Sequence, residues 1–232
     1  YHGWLYIARR DGAERRVARD EGAVGWTTHG VYTYGGRGNL VRLRTADGRP
    51  IRTVARRPQQ HTYDPATGAL DLVADGELIV ADGARVHRVT SLRARGLRPR
   101  ATELIPLGGL IELMSADRIV ILRPDGSRYA STPLPNAGTV SSGLTVASGR
   151  TAVAFTIAYG LSDDPNTTRR AHGTEIIYLL AAGARKAVAI HTVHVTFKPC
   201  ERGADVSWHG RWLLYRNSEG NVARVDATGT ST

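Results

Sequence analysis

Short apolar runs broken by turn residues recur along the whole chain. Leu40 to Leu43, Leu78 to Ala81 and Ile119 to Leu122 are strand-sized, and each is followed by an Asp-Gly pair, at Asp47-Gly48, Asp82-Gly83 and Asp125-Gly126. Trp4 to Ala8 precedes Asp11-Gly12 in the same way, while Ile176 to Leu180 and Val222 to Val225 run into Gly183 and Gly229. Asp and Gly tolerate the positive φ that tight hairpin turns require, so an Asp-Gly pair between apolar runs predicts a β-hairpin. A second β-branched segment follows each turn, as in Pro50 to Val54 and Arg85 to Val89. The pattern is strand, turn, strand throughout, with about 20 short strands and little helix. Ile119 to Leu122 and Ile176 to Leu180 suit strands covered on both faces, whereas Val41-Arg42-Leu43-Arg44 alternates and suits a strand with one wetter face. One segment competes with this reading: Val86, Val89 and Leu92 are spaced tolerably for a helix, which Gly96 and Pro99 would end quickly.

The strands belong to a longer repeat. Val24-Gly25-Trp26-Thr27-Thr28-His29-Gly30, continuing through Tyr34 to Gly38-Asn39-Leu40, lines up with Val206-Ser207-Trp208-His209-Gly210, continuing through Tyr215 to Gly220-Asn221-Val222. Trp26 and Trp208 stand 182 positions apart. Four repeats in that interval would average about 45 residues, a period of four-stranded propeller blades. The expected fold is therefore all-β, a β-propeller of about six blades (five possible) built from four-stranded antiparallel blades. One domain over 1–232 is expected, with blades near 1–20 (partial), 22–57, 60–92, 100–134, 138–195 and 204–232 (partial). The two partial blades imply that strands outside this chain, or a closing blade shared by both ends, complete the ring, with the termini near each other.

Composition narrows the partner classes. The chain of 232 residues carries a formal charge of +10, almost all of it from Arg, since Lys186 and Lys198 are the only lysines. Positive charge draws polyanions. The arginines are nevertheless dispersed, and aromatic residues interleaved with base-reaching Arg are not apparent, which disfavours nucleic acid. No run approaches the roughly 18 apolar residues of a membrane-spanning helix. Cys200 is the single cysteine and has no partner for an internal disulfide. The chain begins at Tyr1 with neither an initiating Met nor a leader pattern, as expected of a processed or truncated segment.

No motif identifies a catalytic centre, since P-loop, nucleophile-elbow, zinc-protease and calcium-hand patterns do not occur, and no cofactor is expected. The densest cationic group is Arg93, Arg95, Arg98 and Arg100; with Arg169 and Arg170 it is the candidate site for phosphate, sulfate or carboxylate groups. Solvated surface charge is the plainer alternative. Ser162 to Thr168 gathers oxygen ligands, with Asp163, Asp164 and Asn166 as a weak calcium candidate and an ordinary solvated turn as the rival. His191 and His194, three apart on a strand, face opposite ways and suit no shared metal. His29 and His209 are equivalent turn positions, and Trp4, Trp26, Trp208 and Trp212 are expected to pack between blades.

The repeated Trp strand, His-Gly or Asp-Gly turn, aromatic strand and Asp-Gly ending resembles the repeats of TolB-type and related WD-like β-propellers. The usual Ser-Pro-Asp-Gly turn of that family is absent, and His-Gly stands in its place after Trp26 and Trp208. The resemblance implies a non-enzymatic binding or assembly module of the cell envelope or exterior, presenting a propeller face to a protein or peptide. Two alternatives stay open: a hydrolase or lyase on an anionic polysaccharide, and a structural subunit pairing through edge strands.

Overall fold

A computed structural model describes residues 3–8, 12–83, 85–99, 102–135, 138–140, 144–160, 171–197, 205–217 and 220–226. Among these described residues, twenty-two strands form six antiparallel sheets, taken in chain order. The first pairs β1 (Trp4–Ala8) with β2 (Glu14–Arg19). The second is β3 (Glu21–Thr27), β4 (Gly30–Gly35), β5 (Leu40–Arg44) and β6 (Pro50–Arg56). The third is β7 (Gln60–Asp64), β8 (Ala69–Ala74), β9 (Glu77–Asp82) and β10 (Arg85–Ser91). The fourth is β11 (Glu103–Pro106), β12 (Ile111–Ser115), β13 (Arg118–Leu122) and β14 (Arg128–Pro133). The fifth joins β15 (Gly138–Val140), β17 (Ala152–Tyr159), β18 (Ala171–Ala181) and β19 (Val188–Phe197), with β16 (Thr145–Val146) added on β17. The sixth is β20 (Asp205–His209), β21 (Trp212–Arg216) and β22 (Val222–Asp226). Five of these sheets are meanders of sequence neighbours, while in the fifth sheet β15 and β16 both pair with β17; three of the six have four strands. No α-helix forms among the described residues; of the segment with helical spacing, Val86 and Val89 lie in strand β10 and Leu92 precedes a single 3-10 turn. The chain ends, whose proximity was expected, lie outside the described residues.

Local chemistry sets the hairpins. Between β8 and β9, Asp75 and Gly76 have φ of 52° and 78°, the paired positive values of a type I′ turn. A different five-residue loop recurs three times. Thr45 N–H donates to Arg49 O and Gly48 N–H to Thr45 O, each at 2.9 Å, and the same two bonds join Arg123 to Ser127 and Gly126 to Arg123, and Asn217 to Asn221 and Gly220 to Asn217. This backbone repeat sits between β5 and β6, β13 and β14, and β21 and β22.

The chain divides into two compact units, Tyr1–Ala116 with Ile121–Ser127, and Asp117–Val120 with Arg128–Thr232. In the first, the first strands of successive sheets approach one another, β3 against β7 and β7 against β11. Tyr32, Val41, Leu43, Leu70, Leu72 and Ala81 fill the gap between the second and third sheets. Tyr32 is fully buried there and its hydroxyl donates to Ala81 O at 3.0 Å, which satisfies the one polar atom it carries inward. In the second unit, Ala154, Ile177, Val206, Leu213, Tyr215 and Val225 form the corresponding core.

The tryptophans do not fill these cores as expected. Trp26 is 51% exposed and Trp4 43% exposed, while Trp208 packs at a core margin, donating Nε1–H to Thr145 O at 3.1 Å. Smaller rings occupy the buried aromatic positions instead, three of them tyrosines: Tyr32, Tyr129 and Tyr215 beside Phe155. A narrow gap between sheets accepts a planar ring with a terminal hydroxyl that reaches a carbonyl, while the bulkier indole is left on the rim.

Candidate functional site

The arginine-rich segment forms a built feature at one end of the third sheet. Leu92 and Leu97 are buried anchors, and Leu97 N–H returns to Leu92 O at 2.9 Å. Between them Arg93–Arg95 makes one 3-10 turn, ended by Gly96 at φ 71°. Leu92 N–H also donates to Gly76 O at 3.0 Å, tying this turn to the β8–β9 hairpin. The result is an open cleft of about 700 Å³ in which Arg93 and Arg98 share the walls with Gln59, Asp75, Glu77 and Ser91, with Leu97 and Pro99 as apolar surface. That volume falls in the usual range of ligand clefts.

The predicted cationic residues thus separate. Arg93 and Arg98 are exposed at the cleft. Arg95 turns aside, its Nε–H donating to Thr90 Oγ1 at 3.2 Å and its Nη2 to Gly126 O at 2.7 Å, so it cross-links two loops. Arg100, Arg169 and Arg170, the calcium candidates Asp163, Asp164 and Asn166, and Cys200 lie outside the described residues. Among the described residues no three His, Cys, Asp or Glu side chains gather as a metal site would need. His29 is exposed, and its ring leaves no room for a Cβ at Gly83.

A second open groove, of about 830 Å³, lies along the start of β3 and the β4–β5 turn, with Trp4, Tyr34, Arg37 and Asn39 at its walls. Under it sits a buried ionic network. Glu21 accepts from Arg44 Nε at 3.1 Å and Nη2 at 3.0 Å, from Thr33 Oγ1 at 2.7 Å, and from Arg42. Its side chain is 4% exposed. Burial pushes the Glu21 carboxyl up, but the Arg44 and Thr33 hydrogen bonds and the two guanidinium charges outweigh it and hold the group below its ordinary value.

Two further acids were not singled out by sequence reasoning. Asp71 on β8 and Glu112 on β12 are 3% and 0% exposed, and each stands four positions before the first residue of a two-residue hairpin turn. Burial, reinforced by Asp64, pushes Asp71 up to about 7, and burial with Glu103 pushes Glu112 up to about 8. A signal existed in the sequence. Leu70-Asp71-Leu72 and Ile111-Glu112-Leu113 each put one acid inside an otherwise apolar run.

The fold is shared with proteins of known structure. The chain aligns over its whole length with 62% of a eukaryotic initiation factor structure, at 10% identity and a TM-score of 0.53. It aligns over 90% of its length with 57% of oligogalacturonate lyase from Vibrio parahaemolyticus, at 7% identity and a TM-score of 0.51. Over 96% of its length it matches 68% of a chain in the mitotic checkpoint complex, at 14% identity and a TM-score of 0.50. The chain therefore spans only part of each of these molecules. These sheets are β-propeller blades. No protein-family model matches the chain, and no curated protein matches it either. Among the described residues no helix of this propeller is long and apolar enough to cross a membrane.

Proposed function

We propose that this propeller is a non-enzymatic binding module that takes a peptide segment of a protein partner in the Arg93–Arg98 cleft. The observation that carries the reading is the mixed charge of that cleft: Arg93 and Arg98 face it together with Asp75 and Glu77. A polyanion would meet two carboxylates beside the two guanidinium groups, which costs affinity through like-charge repulsion. A peptide with one acidic side chain and free backbone groups would use both signs. Arginine offers a carboxylate a bidentate contact, while Asp75, Glu77 and Gln59 accept from N–H groups. The TolB-like repeat pattern is the ground for placing this module in the cell envelope or exterior. The alternative of an anionic-glycan lyase has one fold neighbour on its side, and the acidic walls of the cleft against it.

An affinity pull-down from envelope and culture fluid, with wild type and Arg93→Glu/Arg98→Glu as baits, tests the reading. A stoichiometric protein retained at moderate salt by the wild type and lost by the double variant is expected. Recovery of acidic polysaccharide or nucleic acid alone, vanishing as salt rises, overturns it.

A further inference from the structure

The third sheet has a second opening at the end opposite the arginine cleft. Strand β8 starts here at Ala69 and reaches the cleft only beyond Ala74. This pocket is small, about 170 Å³, and its polar lining includes Asp64, Asp71, Asp82 and His87. In a chain of formal charge +10, that concentration of acid runs against the overall field.

Asp64 ends β7 and is oriented by backbone: Ala66 N–H donates to its Oδ1 at 2.9 Å and Gly109 N–H to its Oδ2 at 2.7 Å. Asp71 lies on the neighbouring strand and is only 3% exposed. It has no hydrogen-bond or ion-pair partner among the described residues, yet it borders the pocket. Its oxygens are not sealed off as those of Glu112 are, so the pocket is where a water or a ligand satisfies them. Asp82 and His87 are exposed at the mouth, and the His87 ring lies 3.4 Å from Pro124 O.

The chemistry of the lining selects the ligand class. A hard divalent cation takes six or more oxygens, and no triad of metal-ligating side chains gathers among the described residues. An ammonium group asks for less: three acceptors and a counter-charge. The walls contributed by Val80, Leu110 and Ile111 suit an alkyl stem. At about 30 Å³ per water-sized group, the space holds roughly five or six heavy atoms. We propose that this pocket receives a primary alkylammonium group, from a partner's lysine side chain or a free amine, with Asp71 as its counter-ion. The incoming charge displaces the proton that burial and Asp64 hold on Asp71, whose carboxyl is pushed up to about 7. Asp64, Asp82 and His87 are the titratable groups sharing the pocket with it.

NMR titration of the full chain with n-butylammonium, n-butanol and a blocked Gly-Lys-Gly peptide tests this. Binding of the cations but not of butanol is expected, with shifts at Asp71 and Leu110. Asp71→Asn, nearly isosteric and checked for an unchanged melting curve, should weaken binding at least tenfold, and Asp82→Asn at the exposed mouth about threefold. A peptide at least tenfold tighter than butylammonium assigns the pocket to a lysine on a partner; equal affinities assign it to a free amine. No binding by either cation, equal binding of butanol, or an Asp71→Asn variant within twofold of wild type overturns the proposal. The cleft variants at Arg93 and Arg98 should not alter this binding, so the two sites succeed or fail separately.

Discussion

The first unit buries carboxyl groups in two opposite ways. On the second sheet, Glu21 is surrounded by Arg44, Arg42 and Thr33, and its carboxyl is held below the ordinary value. On the third and fourth sheets, Asp71 and Glu112 are as deeply buried but lack such partners among the described residues, where both oxygens of Glu112 are without a hydrogen bond. Their carboxyls are pushed up to about 7 and about 8. The three acids look alike in sequence. Compensating charge separates them: Glu21 is a structural ion inside its blade, whereas Asp71 and Glu112 hold their protons to higher pH, at the expense of stability as pH rises.

Removing the compensated acid should have the largest effect. Glu21→Ala strands Arg44, which is 9% exposed at its side chain, and should cost about 3–5 kcal/mol in urea denaturation at pH 7. Because the folded-state value of Glu21 is depressed, its contribution is present above the ordinary 4.5 and lost as pH falls through the folded value. Wild type and variant should therefore converge in acid. A cost below about 1 kcal/mol would show the network to be dispensable.

Glu112 should behave with the opposite sign. Its contribution is complete below the ordinary 4.5, where folded and unfolded chains both hold the proton, and is lost as pH rises to about 8. Asp71 follows the same course between 3.8 and about 7. Glu112→Leu should stabilise the protein at pH 8 by about 2 kcal/mol or more, and this advantage should fall by a difference on the order of 3 kcal/mol at pH 5, where it vanishes or reverses. Parallel stability curves for the two proteins from pH 5 to 8 would break the comparison.

The second unit offers an intermediate case, since buried Glu175 accepts a hydrogen bond from Tyr215. Tyr215→Phe should cost about 1–3 kcal/mol by chemical denaturation, less than loss of Glu21 because a neutral donor is removed. Smallest of all, Trp26→Ala should cost under about 1 kcal/mol, because half of the side chain already faces water. A loss of 3 kcal/mol there would restore the inter-blade role first expected for it.

Much of the β architecture was legible because hairpins are local. Apolar runs of strand length followed by Asp47-Gly48, Asp82-Gly83 and Asp125-Gly126 predict turns that the structure contains, and the Trp26 and Trp208 segments both open on a first strand and hairpin. Asp75-Gly76, the pair with both φ positive, was passed over because Ala74 and Glu77 do not look like the ends of an apolar run. The candidate cleft was half legible: Arg93 and Arg98 stood out by density, but Asp75 and Glu77, which change its character, come from a different hairpin.

The sequence by itself determined the all-β class, the meandering hairpins and the excess of positive charge, since each depends on residues within a few positions of one another or on composition. Tertiary structure alone decided which aromatic rings are buried, which arginines remain available and which acids are ionised. Those outcomes depend on the gap between sheets and on the charge that a neighbouring strand brings within hydrogen-bond reach. Glu21 meets Arg44 from two strands away, and among the described residues Asp71 meets no counter-charge.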